Sequence, residues 1–362
     1  MTRVLFIGDV NVYSKGLVRL ECMRRLGAEL SVLRHTPLGG DDVGHPPLSL
    51  AFRLAWKLGV HLDTERADAG LVAEAARFRP DLLWIEKGNM IRPATLAAVR
   101  ASLPGLRLAA YSDDDMAQGH NATRAFRRCL PLYDVVFTTK AHNIEPDGLP
   151  AQGARRVVVV DKAYDPAAHF PLAVDKAERA ALGAEVGFIG TFEEPRARAM
   201  LMLAEAGIAV RVWGNGWQGW EGRHPLLRVE GRALVNTAAD LTYTKGIRAT
   251  GINLCFLRKI NRDTHTDRSV EIPACGGFML AERTLDHQRL FHEGREADYF
   301  DGDDELLAKV RLYLGDAAAR ARIGAAGRRA CVERGYSQDD RVRQMLEAAL
   351  LPTPPSGTTM AP

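Results

Sequence analysis

The run Asp267-Arg268-Ser269-Val270-Glu271-Ile272-Pro273-Ala274-Cys275-Gly276-Gly277 gathers more chemistry than any other stretch of the chain. On a helix, Arg268 and Glu271 lie three residues apart and share a face. An ionised carboxylate only accepts hydrogen bonds, which suits the two hydroxyls of a ribose. A guanidinium presents a fork that matches phosphate oxygens. A helix that starts near Thr264–Thr266 points free backbone N–H groups at an anion, which favours a diphosphate beside Thr266. The same spacing also fits a plain surface ion pair. Pro273 removes a backbone donor, so the helix is short, and Gly276-Gly277 turns the chain into a strand.

Asp113-Asp114-Asp115 follows a strand and forms a second cluster. Clustered carboxylates can hold Mg²⁺ with substrate phosphates. They can equally form an acidic turn with a helix cap. As catalytic groups, Asp113 or Asp114 would face an acceptor hydroxyl as a base. The first loop, Gly8-Asp9-Val10-Asn11, sits at the carboxyl end of the first strand and offers Asp9 and Asn11 to an acceptor. It contains no G-x-G-x-x-G, which argues against a dinucleotide site. Glu86 and Lys87 also follow a strand and can line the same side. Arg124, Arg127 and Arg128 surround Phe126 in a basic amphipathic patch, suited to an anionic lipid or to solvent.

Apolar strands alternate with amphipathic helices to position these groups. Strands are expected at Val4–Ile7, Leu30–Leu33, Asp81–Ile85, Leu106–Tyr111, Val135–Thr138 and Arg156–Val160. Helices are expected at Lys15–Leu26, Ala69–Phe78 and Pro93–Arg100, and a loop at 35–47. The pattern breaks around Asp165–Pro171, and Ala173–Leu182 reads as a connecting segment. The alternation then restarts with Glu185–Ile189, Arg196–Glu205, Ala209–Trp213, Ile252–Phe256, Phe278–Leu280, Asp304–Leu314, Ala317–Arg334 and Arg341–Leu351. Such alternation argues for parallel sheets, so the fold class is α/β with two doubly wound, Rossmann-like domains. Ligands of such sheets bind beyond the carboxyl ends of the strands, and two such domains facing across a cleft can hold one substrate each. The expected division is 1–170, 171–335, a C-terminal helix 336–351 packing back on the first domain, and a disordered tail 352–362.

Composition narrows the classes. The chain has 362 residues, 46% hydrophobic and 26% charged, enough for two ordinary cores. A net charge of +3 without a basic block or a recognisable motif argues against nucleic acid. Five scattered cysteines form no zinc pattern and read as reduced core thiols. No stretch reads as a leader or a bilayer span, so the expected location is cytoplasmic, with a peripheral membrane position open.

The Arg268–Gly277 run resembles the GT-B glycosyltransferases of the group 1, family-4-like type, in particular the spore-maturation branch with its Arg-x-x-Glu-x-Pro-Ala-Cys-Gly-Gly signature. Phe188-Ile189-Gly190-Thr191 with Pro195-Arg196, Val212-Trp213-Gly214-Asn215-Gly216-Trp217, Ile252-Asn253-Leu254, Asp304-Glu305-Leu306 and the Arg341 region are similar to further elements of that family. The resemblance runs over about residues 80–350. It implies a GT-B fold and transfer of a sugar from a UDP- or GDP-linked donor, which is a substrate. No cofactor and no metal are implied. The acceptor stays open among glycan, lipid, protein and small molecule. Glu271 would contact the ribose. Gly190, Arg196, Arg268, Thr266 and His265 would lie at the diphosphate, and Gly231 and Tyr243 near the base. The first member of the family's acidic pair falls on Asp263, one methylene shorter than the usual glutamate. Two alternatives share the architecture: a nucleotide-sugar epimerase, and a non-catalytic nucleotide-sugar-binding module in a biosynthetic complex.

Overall fold

The structure, a computed structural model, describes residues 1–39, 49–237 and 239–351. The tail expected at 352–362 and part of the loop expected at 35–47 lie outside the described residues. The chain forms two compact units, Lys162–Ser337 and the remainder.

The first unit begins with β1 (Arg3–Gly8), α1 (Lys15–Arg25), β2 (Glu29–Arg34), α2 (Leu50–Lys57), α3 (Ala67–Phe78) and β3 (Leu82–Glu86). It continues with α4 (Pro93–Ser102), β4 (Arg107–Ser112), α5 (Arg124–Cys129), β5 (Val135–Thr138) and β6 (Val157–Val159). The strands form one parallel sheet in the order β2-β1-β3-β4-β5-β6. Successive side chains point to opposite faces, so both faces must be apolar when helices cover both. Along β1, Leu5 and Ile7 join one core while Val4 and Phe6 join the other. That is why β1 reads as an unbroken apolar run.

The second unit contains α6 (Lys176–Leu182), β7 (Ala184–Ile189), α7 (Glu194–Glu205), β8 (Val210–Trp213), β9 (Leu227–Val229), α8 (Thr242–Ala249) and β10 (Thr250–Cys255). It is completed by α9 (Asp267–Ala274), β11 (Met279–Glu282), α10 (Leu285–Leu290), β12 (Asp298–Phe300), α11 (Gly302–Gly315) and α12 (Ala317–Glu333). Its parallel sheet has the order β12-β11-β10-β7-β8-β9, so the strand order reverses between β7 and β10. In open sheets of this type that switch point is where a ligand crevice forms. The last helix, α13 (Gln338–Leu350), belongs to the first unit. Val342, Met345 and Ala349 pack with Trp84 and Met23, and Arg107 and Arg156 donate to the carbonyls of Leu351 and Ala348 at 2.7 and 2.9 Å.

Two boundaries differ from the sequence-based expectation. Residues 173–182 are not a plain connector: Asp175 and Glu178 form a capping box that starts α6. The first division falls after Asp161 rather than at 170. Lys162 donates its backbone N–H to His265 at 3.1 Å, and Tyr164 joins the second core.

Candidate functional site

The site is built from α9 outward. Thr266 donates its backbone N–H to Ser269 Oγ at 2.9 Å, which fixes the first turn. Ser269 Oγ lies 2.7 Å from His287 Nε2, and His287 Nδ1 lies 2.6 Å from the Glu282 carbonyl. A carbonyl only accepts, so Nδ1 carries the proton, Nε2 accepts, and Ser269 donates. Burial pushes His287 down from 6.5 to about 4 and keeps it neutral. At the other end of α9, Pro273 lacks an N–H, and Gly276 turns with φ +72°. A Cβ on Gly324 of α12 would lie 2.7 Å from the Gly276 carbonyl, so that glycine permits α12 to approach the turn.

Arg268 leaves the first turn of α9 toward Phe188 of β7, its guanidinium carbon 5.9 Å from the ring centroid. Arg196 of α7 approaches the same ring at 5.6 Å. Arg196 Nη1 donates to the Thr191 carbonyl at 2.9 Å, and Nη2 lies 3.6 Å from Glu193. Three buried nitrogens, Arg196 Nε and Nη2 and Arg268 Nε, have no hydrogen-bond partner among the described residues. Unmade bonds on buried cations are costly and rare, and they call for an explanation. Burial, reinforced by the like charge of Arg268, pushes Arg196 below its ordinary value while Glu193 opposes the shift. Burial also works against Arg268, but Tyr243, Cys255, Glu271 and Asp267 outweigh it and hold Arg268 above its ordinary value.

Glu271 is 3% exposed one turn further along α9. Tyr243 of α8 donates to its Oε2 at 2.6 Å, and His169 Nε2 lies 3.8 Å from Oε1. Tyr243 is thereby a holder of the carboxylate. Burial raises its phenol well above the ordinary value, and the charge of Glu271 adds to that. Gly190 follows β7, and a Cβ there would lie 2.5 Å from Phe188 Cζ. Its carbonyl accepts from Trp217 at 2.9 Å. The residue that supports both arginines therefore also requires the glycine.

The remaining expected donor residues sit apart from this cluster. Asp263 accepts from Asn261 at 2.9 Å within its own loop. His265 accepts the Lys162 N–H at Nε2, and its Nδ1 lies 3.5 Å from Asp286, so the ring is turned into the fold. His265 is the largest influence holding Asp286 below the usual carboxylate range. Gly231 lies at an exposed bend with open space beyond it. Lys162, absent from the sequence reading, places Nζ 3.6 Å from Asp267 at the start of α9.

In the first unit the switch point lies between β1 and β3. Glu86 does not face outward. Arg19 of α1 holds it bidentately at 2.6 and 2.5 Å, and Trp84 donates to it at 3.1 Å. Burial opposes the charge on Arg19, but Glu86, Tyr111 and Asp113 hold it well above its ordinary value. Asp113 accepts from Tyr111 at 2.7 Å and lies 3.4 Å from Arg19. Asp114 pairs with Lys87 at 2.5 Å. Asp115, fully buried, lies 3.1 Å from Nε2 of His142. Asp9 accepts from Asn11, whose amide also binds Pro37 and Gly39, so this pair braces the loop after β1.

A family model described as glycosyl transferase-like matches residues 196–347. No curated protein matches the chain. Among solved structures, a sucrose-phosphate synthase from Thermosynechococcus elongatus is 12% identical with a TM-score of 0.65, covering 96% of this chain and 98% of its own. The Anabaena HepE protein, solved with UDP and glucose, is 12% identical with a TM-score of 0.63, covering 96% and 99%. A putative UDP-N-acetylglucosamine 2-epimerase from Listeria monocytogenes is 12% identical with a TM-score of 0.56, covering 96% and 95%. The chain has the GT-B fold. The segment matched by the family model begins at Arg196 and contains Tyr243, Arg268 and Glu271, while Phe188 and Gly190 precede it. Among the described residues, no helix is long and apolar enough to cross a membrane.

Proposed function

We propose that this protein is a glycosyltransferase that moves a sugar from a UDP- or GDP-linked donor to an acceptor, without a metal. The observation that carries the reading is the convergence of Arg196 and Arg268 on Phe188, with three nitrogens lacking a hydrogen bond among the described residues, at the carboxyl end of β7 beside the switch point. A diphosphate supplies the missing acceptors and offsets the crowding of two guanidiniums. As the bond to the sugar breaks, the same charges and the start of α9 stabilise the departing diphosphate. They would take over the charge-neutralising task that a metal performs elsewhere. Glu271, held by Tyr243, accepts from ribose hydroxyls. On the acceptor side, Asp113 is engaged by Arg19 and Tyr111 and Asp114 by Lys87, and both carboxylates are candidates to test as base. Asp263 remains a candidate near the sugar. The Arg-x-x-Glu-x-Pro-Ala-Cys-Gly-Gly run supports the spore-maturation branch.

Thermal shift with UDP, GDP and dTDP sugars tests this. One of them is expected to stabilise the wild type and to lose that effect on Glu271→Ala. No stabilisation by any nucleotide, together with no consumption of donor, would sink the proposal. The likeness to a putative epimerase gives a second reading. Conversion of the donor sugar without any acceptor would favour it.

A further inference from the structure

We infer that α2 and the turn after it dock this protein on an anionic lipid surface. The helix is capped by Ser49, whose Oγ accepts from Phe52 N–H at 3.1 Å. One face is occupied: Phe52 and Trp56 stack with centroids 6.4 Å apart, and His61 meets them edge-on at 4.8 and 5.5 Å. The opposite face is solvent-exposed. Leu50, Leu54 and Leu58, at four-residue spacing, are 65%, 54% and 73% exposed, and Val60 follows at 49%. Single exposed leucines are ordinary, but a helical row of three marks an interaction surface.

Charge identifies the occupant. Arg53 and Lys57 lie on the same helix, which carries no acidic residue. Arg124 of α5 adjoins its end, donating its backbone N–H to the Gly59 carbonyl at 3.3 Å, and Arg128 is exposed one turn further on. None of these four cations has a carboxylate partner among the described residues. Leucines interleaved with cations suit a bilayer interface, the apolar groups entering the acyl boundary and the cations meeting anionic headgroups. A second copy of this chain fits poorly, because a two-fold contact would set Arg53 and Lys57 against their own like charges.

Vesicle flotation of the full protein tests the inference, using phosphatidylcholine alone and phosphatidylcholine mixed with phosphatidylglycerol. The wild type is expected to float with the anionic vesicles, to stay behind with the neutral ones, and to release in high salt. Leu54→Glu with Leu58→Glu, and separately Arg53→Glu with Lys57→Glu, should each lower the bound fraction on the order of tenfold or more. These positions are exposed, so an unchanged melting temperature certifies the variants. A wild type that never floats, or variants that float equally, would overturn the inference. So would a wild-type dimer in sedimentation velocity that Leu54→Glu dissolves, since that assigns the face to a second copy. Failure of sugar transfer leaves this result untouched.

Discussion

Acidification should undo the start of α9 through a single buried imidazole. His287 has no exposed surface, and its two nitrogens are committed to the Glu282 carbonyl and the Ser269 hydroxyl. A proton on Nε2 would meet a hydroxyl already turned to donate, in a site without water access. Burial accordingly lowers this histidine from 6.5 to about 4. The native state holds it neutral, whereas the unfolded chain takes up the proton as the pH falls below 6.5. The stability is therefore complete above 6.5 and is lost as the pH drops toward 4. The full loss amounts to about 3 kcal/mol, of which about 2 kcal/mol has gone by pH 5. Asp286 contributes nothing in this window, because its stabilisation is lost only below the unfolded carboxylate range. Urea unfolding at pH 7 and pH 5, followed by tryptophan fluorescence, measures the effect in the wild type and in His287→Gln. The wild type should lose about 2 kcal/mol more than the variant over that interval. An identical pH dependence in both proteins would refute the assignment of the strut to a neutral histidine.

Other substitutions probe separate parts of the molecule. Gly190→Ala places a methyl against Phe188 and should cost about 1–3 kcal/mol in unfolding experiments. It should also weaken nucleotide binding by displacing the ring shared by both arginines. Arg19→Ala strands Glu86 as a buried charge and should destabilise the first unit by about 3–5 kcal/mol, whereas Arg19→Leu with Glu86→Leu should recover much of that by chemical denaturation. Tyr243→Phe keeps the ring and removes one bond to a charged acceptor, a loss of about 1.5–3 kcal/mol, read as lower stability and a weaker nucleotide Kd in calorimetry.

The sequence shows the parallel strands because burial on both faces turns each into a short apolar run such as Val4–Ile7. The helix-turn-strand after Asp267 is legible through Pro273 and Gly276, whose backbone requirements are local. Some short elements escape the same reading. β9 and β12 have three residues each and mixed composition, Leu-Arg-Val and Asp-Tyr-Phe, whereas the equally short β6 shows as a run of valines. The capping box of α6 is visible as Asp-x-x-Glu and shows that a weakly apolar connector can still be a helix. Site partners that depend on tertiary approach leave no spacing signal. Ser269 and His287 are 18 residues apart, Arg19 and Glu86 are 67 apart, and His265 binds Lys162 from 103 away. A histidine between two acidic positions looks available in sequence, yet in the fold His265 is a structural tie.

The proposed donor site holds a nucleoside diphosphate between Arg268, Arg196 and Glu271. Isothermal titration of UDP and GDP into the wild type and Arg268→Ala tests it most directly. One nucleotide is expected to bind the wild type, and the variant to bind it about ten- to hundredfold more weakly, the loss of one charge-assisted interaction. Equal affinity in the two proteins, or no binding of either nucleotide to the wild type, would contradict it.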